Sequence, residues 1–298
     1  MFNSNYLKTP GLQDFQGARN PVTVAWDITD PTLDIFNPLF KDGDYGIYIP
    51  TGTPLLPETR PLVYRFKKDV PIVPGTGSTI NMWLPPNVYA GNPEILAYLF
   101  GTENNSDLLS QGWGITPVGT GTISSVGGRI RLESALVSNE AILVCGTPIL
   151  FSENFYFRGD VRGQFVNNGT TEAGFFHPVP AAPTQFAVGK ITTQPHLHPL
   201  VRGTATWSVF PSAATNKTGV AFEPNNTWWM EFNSYDRITT STRLLYSTTI
   251  NGVTYATARR GTAANVASDE LTLQIRVTAG TLLTPTRMDL QNFFVLRW

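Results

Sequence analysis

Glu231 is the residue whose local setting suggests chemistry. It lies in Trp228-Trp229-Met230-Glu231-Phe232, where aromatic rings can stack on sugars and a carboxyl group can act on a glycosidic bond. Hydrolysis of that bond needs two carboxyl groups facing each other across the sugar, yet no partner acid is identifiable on a matching strand, and Trp228 suits a core face equally well. His196 and His198, two apart, would share one face of a strand at a spacing that suits a metal. Pro195 and Pro199 flank them and no third ligand is marked nearby, so with His177 they read as loop histidines making hydrogen bonds. Cys145 closes the apolar run from Ala141 and reads as a buried structural thiol. There is no Gly-x-Ser-x-Gly, and the glycines of 119–128 lack the lysine and the strand-to-helix context of a phosphate cradle, which leaves a flexible loop. The expectation is a chain that is not an enzyme, with no catalytic residue, no cofactor and no metal.

The elements that must position these residues show a period of two. Leu271, Leu273, Ile275 and Val277 alternate with Glu270, Thr272, Gln274 and Arg276, as a strand with one face on a core requires. Phe155, Phe157, Val161 and Phe165 alternate in the same way with Tyr156, Arg158, Asp160, Arg162 and Gln164, which are expected to point outward. Ala205, Trp207 and Val209, then Trp228, Met230 and Phe232, then Leu62, Tyr64 and Phe66, and finally Met288, Leu290, Asn292, Phe294 and Leu296 each form one such face. Asn168-Gly169 and Asn251-Gly252 suit tight hairpins, because both central residues of that turn take positive φ. The spacing predicts a helix over 92–101, with Asn92 as cap, Pro93 at the first helical position and Gly101 after the end, and a second short turn over 106–111.

At least eight strands without helix–strand alternation exclude a parallel α/β fold. Long, uneven, Pro-rich connections at 50–61 and 178–199 favour a sandwich over a closed barrel. The fold class expected is all-β: an eight-stranded antiparallel jelly-roll sandwich with one or two short helices. Residues 59–298 form that domain, and residues 1–58 form an extended N-terminal segment that acts as an interaction arm. The segment is apolar yet interrupted by Pro and Asp, so it must find a surface, either its own sandwich or a neighbour's.

Composition narrows the partners. Only 14% of the 298 residues are charged, against roughly 25% in an average soluble domain, which argues for large surfaces that meet protein. The net charge of −1 excludes strong non-specific nucleic-acid binding by the chain as a whole. The first 60 residues carry Lys8, Arg19, Lys41 and Arg60 against Asp14, Asp27, Asp30, Asp34, Asp42, Asp44 and Glu58, so there is no basic arm. No apolar run reaches the length of a membrane helix and no signal peptide is visible, which points to the cytosol and makes the sequons at Asn104, Asn168, Asn216 and Asn225 chance products.

The stretch Phe155-Tyr156-Phe157-Arg158-Gly159-Asp160-Val161-Arg162 resembles the aromatic, aromatic, Arg-Gly strand of capsid (coat) proteins of picorna-like viruses, including algal and insect viruses. The hairpin at 165–169, Gly174 to Pro178, Val220 to Pro224, and the closing segments 271–278 and 288–294 follow in that family's order. The resemblance implies a structural capsid protein, part of a pseudo-T=3 icosahedral shell. Its partners would be homologous capsid chains, a host receptor and, weakly, genomic RNA, and it would be found in the virion and in host cytoplasm during assembly. Gln13-Asp14-Phe15 has one Asp where some such viruses carry an Asp-Asp-Phe maturation motif, so that cleavage is not assigned. The alternative is a jelly-roll carbohydrate-binding module or glycoside hydrolase.

Overall fold

The structure is a computed structural model. It describes residues 6–7, 25–28, 38–48, 62–74, 77–136, 139–150, 152–164, 170–176, 185–190, 198–202, 208–209, 227–237, 243–250, 253–261, 270–279 and 285–298. Among the described residues the chain is an all-β sandwich of sheets that are antiparallel except where Ala25–Asp27 pairs parallel with Tyr45–Tyr48, with two short helices, Pro86–Ala90 and Asn105–Ser110. The sandwich is larger than eight strands, because each of its two sheets has eight.

The central sheet runs, in spatial order, through Val253–Gly261, Arg243–Ile250, Thr227–Arg237, Phe155–Gln164, Thr286–Arg297, Arg129–Ser134 and Thr122–Val126. The long Thr286–Arg297 strand pairs with Arg129–Ser134 through its first half and with Glu94–Leu99 through its second. The second sheet runs through Ser208–Val209, His198–Arg202, Gln185–Lys190, Thr170–Phe176, Glu270–Thr278, Glu140–Cys145 and Trp113–Ile115, and Ile149–Leu150 also pairs with Glu270–Thr278. A third sheet of five strands comprises Tyr6–Leu7, Ala25–Asp27, Tyr45–Tyr48, Leu62–Pro71 and Thr79–Leu84.

Alternation explains how the layers stack. Phe155, Phe157, Val161, Met230, Phe232, Leu290 and Phe293 of the central sheet bury against Leu271, Leu273, Ile275, Val277, Leu143 and Cys145 of the second. The opposite face of the central sheet was expected to look outward, and much of it does not. Tyr156, Phe294, Leu296 and Ile95 pack against Val70, Met82 and Leu84 of the third sheet and Val88 of the first helix. The described residues of the leading segment lie on the chain's own body, where Trp26, Ile28 and Phe40 cluster with Tyr64, Phe66 and Trp83.

Three local expectations are corrected. Residues 92–101 hold the strand Glu94–Leu99 and no helix: Ile95, Leu96, Ala97 and Leu99 are buried on both faces, and a short continuous apolar run fits a buried strand as well as a helix. The loop at 119–128 is largely ordered, since Thr122–Val126 pairs with Arg129–Ser134 through a two-residue turn at Gly127 (φ 59°) and Gly128 (φ 74°), the geometry that suits strand twist. The last strand does not keep one face. At Asn292 (φ 50°) the register shifts against Phe155–Gln164, so Phe293 and Val295 join Met288 and Leu290 in the main core while Phe294 and Leu296 turn to the third sheet. The short turn at 106–111 is present as the second helix, capped by Asn104, whose side chain accepts from the Ser106 and Asp107 amides. The Asn251-Gly252 turn lies outside the described residues, and the strands on either side of it pair as a hairpin. Asn168-Gly169 and Trp207 also lie outside them.

Candidate functional site

Glu231 stands on Thr227–Arg237, directly opposite Arg158 on Phe155–Gln164 and on the sheet face turned towards the N-terminal layer. Its Oε2 accepts hydrogen bonds from the Tyr64 hydroxyl at 3.0 Å and the Tyr156 hydroxyl at 2.8 Å. Tyr156 comes from the neighbouring strand and Tyr64 from the third sheet, so two layers converge on one carboxyl group. Arg158 is wholly buried. Its Nη1 donates to the Trp83 carbonyl, its guanidinium lies 5.7 Å from the Phe294 ring centroid, and its Nε and Nη2 have no hydrogen-bond partner among the described residues. Asn87 and Asn233 exchange amide hydrogen bonds at 3.0 and 3.1 Å across the same seam.

Burial dominates the electrostatics. Loss of water pushes the Glu231 carboxyl up to about 7, and the hydrogen bonds from Tyr156 and Tyr64, followed by the charge of Arg158, hold it from rising further. Burial, then the nearby Glu231 charge, drives both tyrosine hydroxyls well above their ordinary range, so they remain donors. The result is a carboxyl group poised between acid and anion at neutral pH.

A second acid on this face is Asp160. It follows Arg158 by two residues and therefore shares its face, diagonal to Glu231 across the pair of strands. Diagonal neighbours in an antiparallel pair stand roughly 7–8 Å apart. Asn292, turned by the bulge, donates to Asp160 at 3.2 Å. Exposure rises along this strand from 0% at Arg158 to 8% at Asp160, and Arg162 is partly exposed. Beyond it the same face carries ion pairs: Arg131 meets Asp289 at 2.8 and 2.9 Å and Arg287 meets Glu133 at 2.5 Å. Glu231 and Asp160 thus sit where the covered apolar part of the face gives way to a charged, partly exposed strip.

The other sequence candidates do not join this site. Cys145 is buried in the main core, with its thiol pushed up to about 11 by burial, an unreactive setting. His177 and His196 lie outside the described residues, as does the side chain of His198. The Trp228 and Trp229 side chains are likewise outside them. Among the described residues no group of three His, Cys, Asp or Glu could hold a metal, and no helix is long and apolar enough to cross a membrane. Sequence reasoning missed Tyr64 and Asp160. Period-two alternation placed Asp160 with Arg158, but only the strand register sets it beside Glu231.

No protein-family model and no curated protein sequence matches the chain. Solved structures similar to it include that of the alginate lyase Aly36B, at 11% identity and a TM-score of 0.49, covering 67% of this chain and 95% of that one. An endo-beta-1,4-glucuronan lyase from the fungus Trichoderma reesei matches at 10% identity and a TM-score of 0.46 over 67% of this chain and 94% of its own. A sialidase matches at 13% identity and a TM-score of 0.46 over 78% of this chain, which spans only 20% of the sialidase. The expectation of a chain that is not an enzyme is corrected: these neighbours are two lyases and a sialidase. At such identities and TM-scores the likeness carries no chemistry, which has to be argued from Glu231 and its neighbours.

Proposed function

We propose that this β-sandwich acts on carbohydrate, with Glu231 as the proton donor to a glycosidic oxygen and Asp160 as the second carboxyl group. One observation carries this reading: a buried carboxyl group held at about 7, on the same sheet face as a second acid one diagonal step away. A general acid works best when its pKa lies near the working pH. The two tyrosines occupy Oε2, which leaves Oε1 to hold the acid proton. Asp160, one diagonal step from Glu231 on the same sheet face, serves as the base that activates water. Beyond Asp160 the strip of Arg162, Asp289 and Arg131 carries polar side chains that suit a hydroxyl-rich polymer.

Reducing-end release from a panel of neutral and acidic polysaccharides tests this. Wild-type protein should cleave at least one of them, while Glu231→Gln and Asp160→Asn each lower kcat by a factor of 100 or more with the fold intact by circular dichroism. Absence of cleavage across the panel, or full activity in Glu231→Gln, overturns the reading. Sizing the native protein distinguishes the coat-protein role, because megadalton shells in place of small species favour assembly.

A further inference from the structure

Arg158 is the least expected occupant of the seam between the central and third sheets. It is wholly buried, and of its guanidinium only Nη1 has a hydrogen-bond partner among the described residues, the Trp83 carbonyl, while Nε and Nη2 have none. A buried cation with open donors costs stability, so the arrangement asks for a partner that another state of the site supplies.

That partner stands directly opposite. Arg158 faces Glu231 in the strand register, and opposite residues on one face of an antiparallel pair have Cβ atoms roughly 4.5–5.5 Å apart, within reach of two long side chains. The hydrogen bonds that Tyr64 and Tyr156 donate to Glu231 both fall on Oε2, which leaves Oε1 for the acid proton. A protonated carboxyl offers the guanidinium little, whereas a carboxylate is a strong acceptor for Nε or Nη2. Among the described residues, the other titratable groups around Glu231 are Tyr156 and Asp160 of the neighbouring strand and Tyr64 of the third sheet; opposite Glu231 on its other side is Thr249, which carries no charge. Arg158 is the cation of this group. Against the burial that raises Glu231, Tyr64 and Tyr156, its charge acts downwards on all three.

We infer that Arg158 is a positioning residue for this site: its donors stay open while Glu231 holds its proton, and they pair with the Glu231 carboxylate once that proton has left. The inference rests on the carbohydrate reading for the destination of the proton, and the pairing itself does not. As the glycosidic C–O bond breaks, its oxygen keeps the bonding electrons and takes the proton of Glu231, which is left with the negative charge that Arg158 neutralises. Water adds to the anomeric carbon and gives its proton to Asp160, and exchange with solvent restores both acids.

The test follows the Glu231 carboxyl directly, by infrared difference spectroscopy across pH, with Glu231→Gln identifying its band. Arg158→Met removes the charge and fills the space, so the Glu231 midpoint should rise from about 7 by about one pH unit or more. Arg158→Lys returns a cation and should bring the midpoint back down. Arg158→Gln serves in place of Arg158→Met if that variant does not fold. In the cleavage assay the alkaline limb of kcat should move with the midpoint while KM changes little. A midpoint that does not move in Arg158→Met or Arg158→Gln, or that stays raised in Arg158→Lys, overturns the inference, because Arg158 would then act by shape alone. If wild-type protein cleaves nothing while the midpoint moves as expected, the carbohydrate reading falls and the pairing stands.

Discussion

Near neutral pH Glu231 sits at the middle of its titration, and this has consequences for stability as well as chemistry. The folded pKa of about 7 lies above the ordinary 4.5, so the protonated form is the one the fold prefers. Stability from this group is complete below pH 4.5 and is lost as pH rises to about 7, a change on the order of 3 kcal/mol for a wholly buried carboxyl. Glu231→Gln keeps the shape and cannot ionise. We expect urea unfolding of wild type and Glu231→Gln to differ little at pH 4.5, and the variant to be the more stable at pH 8 by about that amount. Equal pH dependence in the two proteins would show that Glu231 is not the buried acid described. If the variant also loses cleavage, one substitution gains stability and removes activity, the usual trade at a site that burial strains.

At the scale of elements, the bulge at Asn292 sets the geometry of the site. It turns Asn292 onto Asp160, sends Phe293 into the core and brings Phe294 under Arg158. Gly159 makes room for this crossing: a Cβ there would lie 2.2 Å from the Phe293 ring and 3.0 Å from its Cα, so both ring and backbone oppose it. Gly159→Ala should lower stability by about 1–3 kcal/mol, read by urea unfolding, and should reduce activity more than stability accounts for because Asp160 moves with the strand. An unchanged midpoint would mean that the crossing is loose. None of this was legible in the sequence. Alternation made Glu270–Thr278 and Phe155–Gln164 readable as strands, because one face of each is apolar. The same rule assigned Tyr156 and Arg158 to solvent, since polarity alone cannot show that a third sheet covers them. It also carried the last strand through Asn292 without a shift, because a bulge changes which neighbour a residue meets and leaves composition unaltered. Glu94–Leu99 read as a helix for a related reason: burial on both faces erases the period that separates the two structures.

Across the whole molecule, a central sheet buried on both sides accounts for the small charged fraction of 14%. A chain that stacks three layers needs apolar residues on four sheet faces, and the leading segment supplies part of the outermost. Its hold depends on Phe40, buried among Trp26, Phe66 and Trp83 in edge-on contacts of 4.9–5.1 Å. Truncating such a ring removes about 3–5 kcal/mol. If this leading strap and the body unfold as one cooperative unit, Phe40→Ala lowers the midpoint of a single transition by that amount. If the strap is a separate unit, tryptophan fluorescence from Trp26 and Trp83 changes first and the far-ultraviolet signal of the sheets follows at the wild-type midpoint. We expect the first result, because Tyr64 both floors the strap and bonds Glu231, which ties the outer sheet to the central one. Two separated transitions in wild-type protein would show that the tyrosine bond does not couple the layers.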